Sequence, residues 1–249
     1  MRRVVTIAHA ARAAHVLSAG VPSVAASARN AASATSTTAE PNNKARTVQL
    51  GAPNPFVVAP EPGAAVPSMQ DLYWGTGPTT GGVCYGCGPA NDKGLQLKSY
   101  VSAEEYDAAT GAITTLEAIA RFQPQPHHNA FPNVLNGGVI ATLLDCHLNL
   151  LASYFVMRAR SGPQATALPA LTVTARFEMD LKRPTPMDEG PVCVWGRVDL
   201  AASDIAKGSV WLDAAMYAPS VAMQPDVSRA DMKPTALARG RFVAPRAKA

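Results

Sequence analysis

The longest hydrophobic run in the chain has no clean polar side. Between Val139 and Met157, the residues Ile140, Leu143, Leu144, Leu148, Leu150, Leu151, Tyr154 and Phe155 recur too densely for a one-faced helix. A helix that is apolar all round is buried, in a domain or in a membrane. Asp145, His147, Asn149 and Ser153 interrupt it, which fits a core helix and not a membrane span. Asn136-Gly137-Gly138 opens the helix and Ser161-Gly162-Pro163 ends it. Asp145 is the only charge in the run. A buried carboxylate without a partner is costly or loses its charge, so one kept here has a partner or a use.

The flanking sequence reads as strands. Leu95 to Val101 and Ala112 to Phe122 form a pair about a turn at Thr110-Gly111. After the helix, Leu171 to Leu181 alternates with period two until Pro184 and Pro186. Val192, Val194, Val198 and Leu200 make one face of the next strand, and Val210, Leu212, Ala214 and Met216 one face of another, with a turn near Ser203–Gly208. Ala236 to Val243 completes the set. Two strands, one long helix and four more strands do not alternate, so the class is α+β with an antiparallel sheet curled around one central helix.

At 249 residues and 47% hydrophobic content the chain can bury a substantial core. The net charge of +4 is scattered, without the basic stripe of a nucleic-acid binder. Residues 1–39 lack any acid and carry Arg2, Arg3, Arg12 and Arg29 among alanines, serines and threonines. That composition predicts a transit peptide and a mitochondrial matrix location; a bacterial cytoplasmic protein with a disordered extension is the alternative. Residues 40–81, with Pro41, Pro53, Pro55, Pro60, Pro62 and Pro67, read as linker, and the folded domain as 82–249.

Three segments, in this order and spacing, carry a family resemblance. They are Cys84-Tyr85-Gly86-Cys87-Gly88-Pro89 through Leu95, then Asn129 through Gly138 followed by Asp145, and Thr172 through Pro186. Together they resemble the hotdog-fold acyl-CoA thioesterases of the phenylacetate-pathway type, over roughly Cys84 to Pro245. The resemblance implies a hotdog fold, a homodimer or homotetramer, and hydrolysis of acyl-CoA to free acid and coenzyme A without a bound cofactor or metal. Asn136 stands where most members have a histidine that helps orient the thioester, and asparagine cannot titrate. Asn129 matches an asparagine that some members place near the nucleophilic water, and Thr174 a serine or threonine that aids the same water.

Backbone N–H groups at the helix start, at Gly137 and Gly138, favour partial negative charge, so a thioester carbonyl oxygen fits there. Tight packing of a turn is the alternative reason for this glycine pair. Asp145 lies eight residues beyond Gly137, about 12 Å along the helix axis. One carbonyl does not span that distance, so a site using both is shared by two subunits. There Asp145 serves as general base or as nucleophile.

Arg176, Lys182 and Arg183 are candidates for the coenzyme A phosphates, with solvated surface charge as the alternative. His127 and His128 fall in a loop, and His147 lies two positions from Asp145, on the other side of the helix. Cys84-x-x-Cys87 lacks a second close pair for zinc and does not open a helix as redox pairs do. No metal is expected there, and Cys146 and Cys193 read as small hydrophobes. Two rivals remain: a non-catalytic acyl-CoA-binding hotdog protein, and an enoyl-CoA hydratase or dehydratase pairing an acid with a histidine.

Overall fold

The computed structural model describes residue 56 and residues 67–75, 82–164, 172–224 and 226–244. The expected transit peptide and most of the expected linker lie outside the described residues.

The elements run α1 (Met69–Trp74), β1 (Lys98–Tyr106), β2 (Ile113–Phe122), a 3-10 turn at Pro126–His128, β3 (Asn129–Phe131), β4 (Val134–Leu135), α2 (Gly137–Ser161), β5 (Val173–Leu181), β6 (Val192–Asp204), β7 (Ser209–Tyr217), α3 (Pro219–Ala222) and β8 (Ala236–Val243). Six strands form one antiparallel sheet in the order β1-β2-β6-β7-β8-β5, and β3 and β4 pair as a separate short hairpin. β5 follows the helix yet sits at the far edge beside β8, so the sheet wraps α2 along its length. This is the hotdog arrangement.

Period-two burial builds the inner face of the sheet. Leu116, Ala118 and Ala120 of β2, Val194 and Val198 of β6, and Leu212 and Met216 of β7 meet Leu143, Leu144, Leu148 and Leu151 of α2. Gly196 falls in the inward row of β6. A Cβ there would stand 3.0 Å from both the His147 ring and Leu148, so its absence lets the helix lie close. By length and composition α2 is apolar enough to cross a membrane, but 72% of its most apolar window is buried inside this fold.

The outer face is covered in part as well. Glu117 of β2 accepts hydrogen bonds from the Trp195 indole at 2.9 Å and from Arg229 Nη1 at 2.8 and 3.0 Å, and the Arg229 guanidinium lies over the Trp195 ring.

One element falls inside the stretch read as linker. Ser68 caps α1, accepting from the Asp71 N–H at 3.1 Å while Asp71 Oδ2 accepts from the Ser68 N–H at 3.2 Å. Gln70 is buried and bonds Ser99 twice, accepting from its N–H at 2.8 Å and donating to its hydroxyl at 3.2 Å. These contacts dock α1 on β1, so the folded part reaches upstream of Gly82. Proline density hid this one short helix.

Candidate active site

Burial around α2 is not uniform. Gly138, Thr142, Asp145 and Asn149, spaced four, three and four residues apart, form a stripe that the sheet leaves partly or fully exposed. The apolar residues around the stripe mask it in the sequence. Asp145 is thus partly exposed on the one open strip of a buried helix.

Thr174 donates to Asp145 Oδ1 at 2.9 Å. Its position depends on an irregularity in β5. Thr174 pairs with Phe242, but Arg176 pairs with Arg241, so Ala175 is an extra residue opposite the β8 ladder. Such a bulge reverses the alternation locally. Thr174 therefore turns towards α2, as the buried Phe177 and Met179 do, while Arg176, Glu178 and Asp180 stay on the other face.

A second group of candidates gathers at the start of α2. Asn136 is its N-cap, and its Oδ1 accepts from the N–H of Gly138 at 2.8 Å and of Val139 at 3.4 Å. Gly138 was a candidate oxyanion donor, but its N–H is engaged by the cap. Gly137 is the member of the pair that Asn136 does not engage. A Cβ on Gly137 would meet the Leu181 side chain at 3.2 Å, so packing also favours glycine there. Asn129 is exposed and pairs with Leu135 across the β3–β4 hairpin, while the Asn136 N–H donates to His128 O at 2.9 Å. The hairpin thus sets Asn129 beside the helix start.

The turn after β5 packs against the same hairpin, with the Leu135 N–H on Thr185 O at 2.9 Å and a bridge between Val134 and Pro186. It brings exposed Arg183 to this end of α2. Of the other phosphate candidates, Arg176 Nε donates to Glu178 at 2.8 Å and Lys182 to Asp180 at 2.7 Å, so both already have acidic partners.

His147 and His128 hold hydrogen bonds within the fold, to Ser99, Ala118 and Gln125. His147 is fully buried. Its Nε2 lies 3.3 Å from the Ala118 carbonyl, which only accepts, so Nε2 carries the proton and Nδ1 accepts from the Ser99 hydroxyl at 2.9 Å. Burial drives its pKa down to about 4, keeping it neutral. His128 Nδ1 accepts from the Gln125 N–H at 3.0 Å, and burial followed by the neighbouring His127 lowers its pKa.

One neighbour was missed in the sequence. The Cys146 sulfur lies 3.7 Å from that of Cys84, across 62 residues of chain. Sequence spacing gives no signal for this approach.

No family model matches the chain, and no curated protein matches it. Among solved structures, it is similar to a thioesterase superfamily protein from Shewanella loihica PV-4, at 25% identity over 60% of this chain and 91% of that one, with a TM-score of 0.38. The PaaI protein of the E. coli phenylacetic acid degradation operon shares 14% identity over 52% of this chain and 73% of its own, with a TM-score of 0.38. A Streptococcus mutans protein bound to acetyl CoA shares 13% over 52% and 81%, with a TM-score of 0.37. The fold rests on the chain's own strand order: a six-stranded antiparallel sheet wrapped around α2 makes this a hotdog-fold protein, similar to thioesterase-superfamily structures.

Proposed function

We propose that two copies of this chain form an acyl-CoA thioesterase whose site takes Asp145 and Thr174 from one protomer and Gly137, Asn136 and Asn129 from its partner. The observation that carries this reading is the run of β5 along α2. Thr174, near one end of the strand, touches Asp145, and Leu181, at the other end, touches the position of Gly137. β5 is an edge strand of the sheet, with Val173 and Leu181 exposed at its ends. Antiparallel pairing of two β5 edges about a two-fold axis sets Thr174 of one copy opposite Leu181 of the other. Asp145 of one protomer then faces the helix start of its partner, which removes the 12 Å separation (about eight residues at 1.5 Å each) within a single chain.

In that arrangement the Gly137 N–H and the positive end of the α2 dipole polarise the thioester carbonyl. Asn136 holds the first turn of the helix in shape, and Asn129 lies beside it. Asp145, oriented by the Thr174 hydroxyl, takes a proton from water as the water oxygen attacks the carbonyl carbon. The tetrahedral intermediate collapses, the carbon–sulfur bond breaks, and the proton passes to the departing coenzyme A thiolate. No cofactor is required. Arg183, at the same end as Gly137, is the phosphate contact this reading favours.

The test is thiol release from short, long and aromatic acyl-CoAs, with wild-type protein and Asp145→Asn compared. Turnover by the wild type and its loss in a folded Asp145→Asn variant are expected. A wild type that binds acyl-CoA but releases no thiol supports the binding-protein alternative. A folded Asp145→Asn protein with near-normal rate removes the proposed base.

A further inference from the structure

Three of the four cysteines converge. Cys84 and Cys87 come from the turn that precedes β1, and Cys146 comes from the middle of α2. Their sulfurs all lie within 4.8 Å of one another, and those of Cys84 and Cys146 are 3.7 Å apart. Thiolates bound to one tetrahedral zinc at about 2.3 Å stand about 3.8 Å from each other. The thiol triangle is therefore already near the size of a metal-binding face.

The turn is built to hold that shape. The Gly88 N–H closes the turn on Cys84 O at 2.9 Å, and the Leu95 and Leu97 N–H groups hold Tyr85 O and Gly86 O at 2.7 and 3.0 Å. Two glycines are required by contact. A Cβ on Gly88 would lie 2.3 Å from Gly82 O, and one on Gly86 would lie 2.3 Å from the Cys146 sulfur. Gly86 is thus what lets the turn press its sulfurs onto the helix. Cys87 and Cys146 are buried, whereas Cys84 is exposed and leaves an approach from solvent.

We propose that Cys84, Cys87 and Cys146 form a three-thiolate site for a thiophilic divalent cation, Zn(II), with water completing its tetrahedron on the Cys84 side. Soft sulfur ligands and a tetrahedral edge select zinc over the hard cations magnesium and calcium. Binding releases the thiol protons of the three cysteines to solvent, because the ligands are thiolates. The ion ties the turn before β1 to α2 one residue from Asp145. Simple packing of three small apolar side chains is the competing account, and it predicts no stoichiometric binding.

The experiment uses the full chain, kept reduced with a non-thiol reductant and stripped of metal. Zinc and cobalt(II) are titrated separately. One ion per chain is expected, with a thiolate-to-cobalt charge-transfer band, visible bands of tetrahedral intensity, and a higher thermal midpoint on loading. Cys146→Ser should weaken zinc binding by about a hundredfold or more. Cys84→Ser should do the same, and its exposed position keeps the fold out of question. Cys193→Ser, whose thiol lies in β6 near Pro191 O, should bind as the wild type does. Absence of stoichiometric binding by the reduced wild type overturns the proposal, as does unchanged affinity in folded Cys146→Ser and Cys84→Ser.

Discussion

Thr174 reaches Asp145 across 2.9 Å because Ala175 bulges out of the β5–β8 ladder. In an unbroken strand Thr174 would share the face of Arg176 and Glu178, pointing away from α2. The bulge turns one hydroxyl inward at the level of the single acidic residue on the open stripe of the helix. A bulge at this place re-aims a side chain, and its cost is a locally interrupted ladder.

Thr174→Val should lower kcat by about tenfold to a hundredfold and leave KM nearly unchanged. A hydrogen bond to a charged group contributes about 1.5–3 kcal/mol, and each 1.4 kcal/mol of barrier is about tenfold in rate. Valine keeps the shape and suits a strand, so folding should not suffer. Thr174→Ser should restore most of the rate, because the hydroxyl returns. Steady-state kinetics on all three proteins checks this; a Val variant with wild-type kcat would reduce Thr174 to strand packing.

Sharing of the site between protomers has a quantitative signature. Asp145→Asn leaves the helix start intact, and Gly137→Val leaves Asp145 intact while its added side chain crowds Leu181 and the carbonyl position. Each variant alone should be inactive. After mixing and subunit exchange, half of the dimers are mixed, and each mixed dimer holds one intact site of two. Activity should therefore recover to about a quarter of the wild-type value. No recovery in a sample shown by native mass spectrometry to contain mixed dimers would mean that each chain carries its own site.

The strand pattern in the sequence was sufficient for the architecture. Val194, Val198, Leu212 and Met216 fall on the inner face that their alternation implies, and Ala236–Val243 is a strand with those bounds. Asp145 and Thr174, 29 residues apart in sequence, meet through a hydrogen bond that no local pattern encodes. Three features were less legible, each for a physical reason. The Ser68-x-x-Asp71 capping box is a local signal for α1, but it lies in a proline-rich stretch that resembles a linker. The bulge at Ala175 leaves no mark, since period-two alternation continues on paper through the extra residue. The approach of Cys146 to Cys84 depends on how a turn docks on a helix, and no local pattern encodes that.

His147 gives the fold a pH dependence of known sign. Burial holds its folded-state pKa near 4, below the ordinary value of 6.5. Between these two values the unfolded chain binds a proton at His147 and the folded chain does not. Unfolding is therefore favoured as pH falls, and stability rises with pH across that window and levels off above it. The gap between 6.5 and about 4 corresponds to roughly 3 kcal/mol from this one group. The cost is enforced by the surroundings: the Ser99 hydroxyl and the Ala118 carbonyl fix one neutral tautomer, and Gly196 lies against the ring so closely that a Cβ there would stand 3.0 Å from it. Denaturant unfolding at a series of pH values from 4 to 7.5 should show the slope, with part of it supplied by carboxylates. His147→Gln keeps a donor and an acceptor in the same place but cannot titrate. It should be less stable at pH 7.5 through imperfect packing, yet its stability should fall less steeply between pH 6.5 and pH 4. Parallel pH profiles for the two proteins would show that His147 takes up no extra proton on unfolding, and that the buried ring is not held neutral.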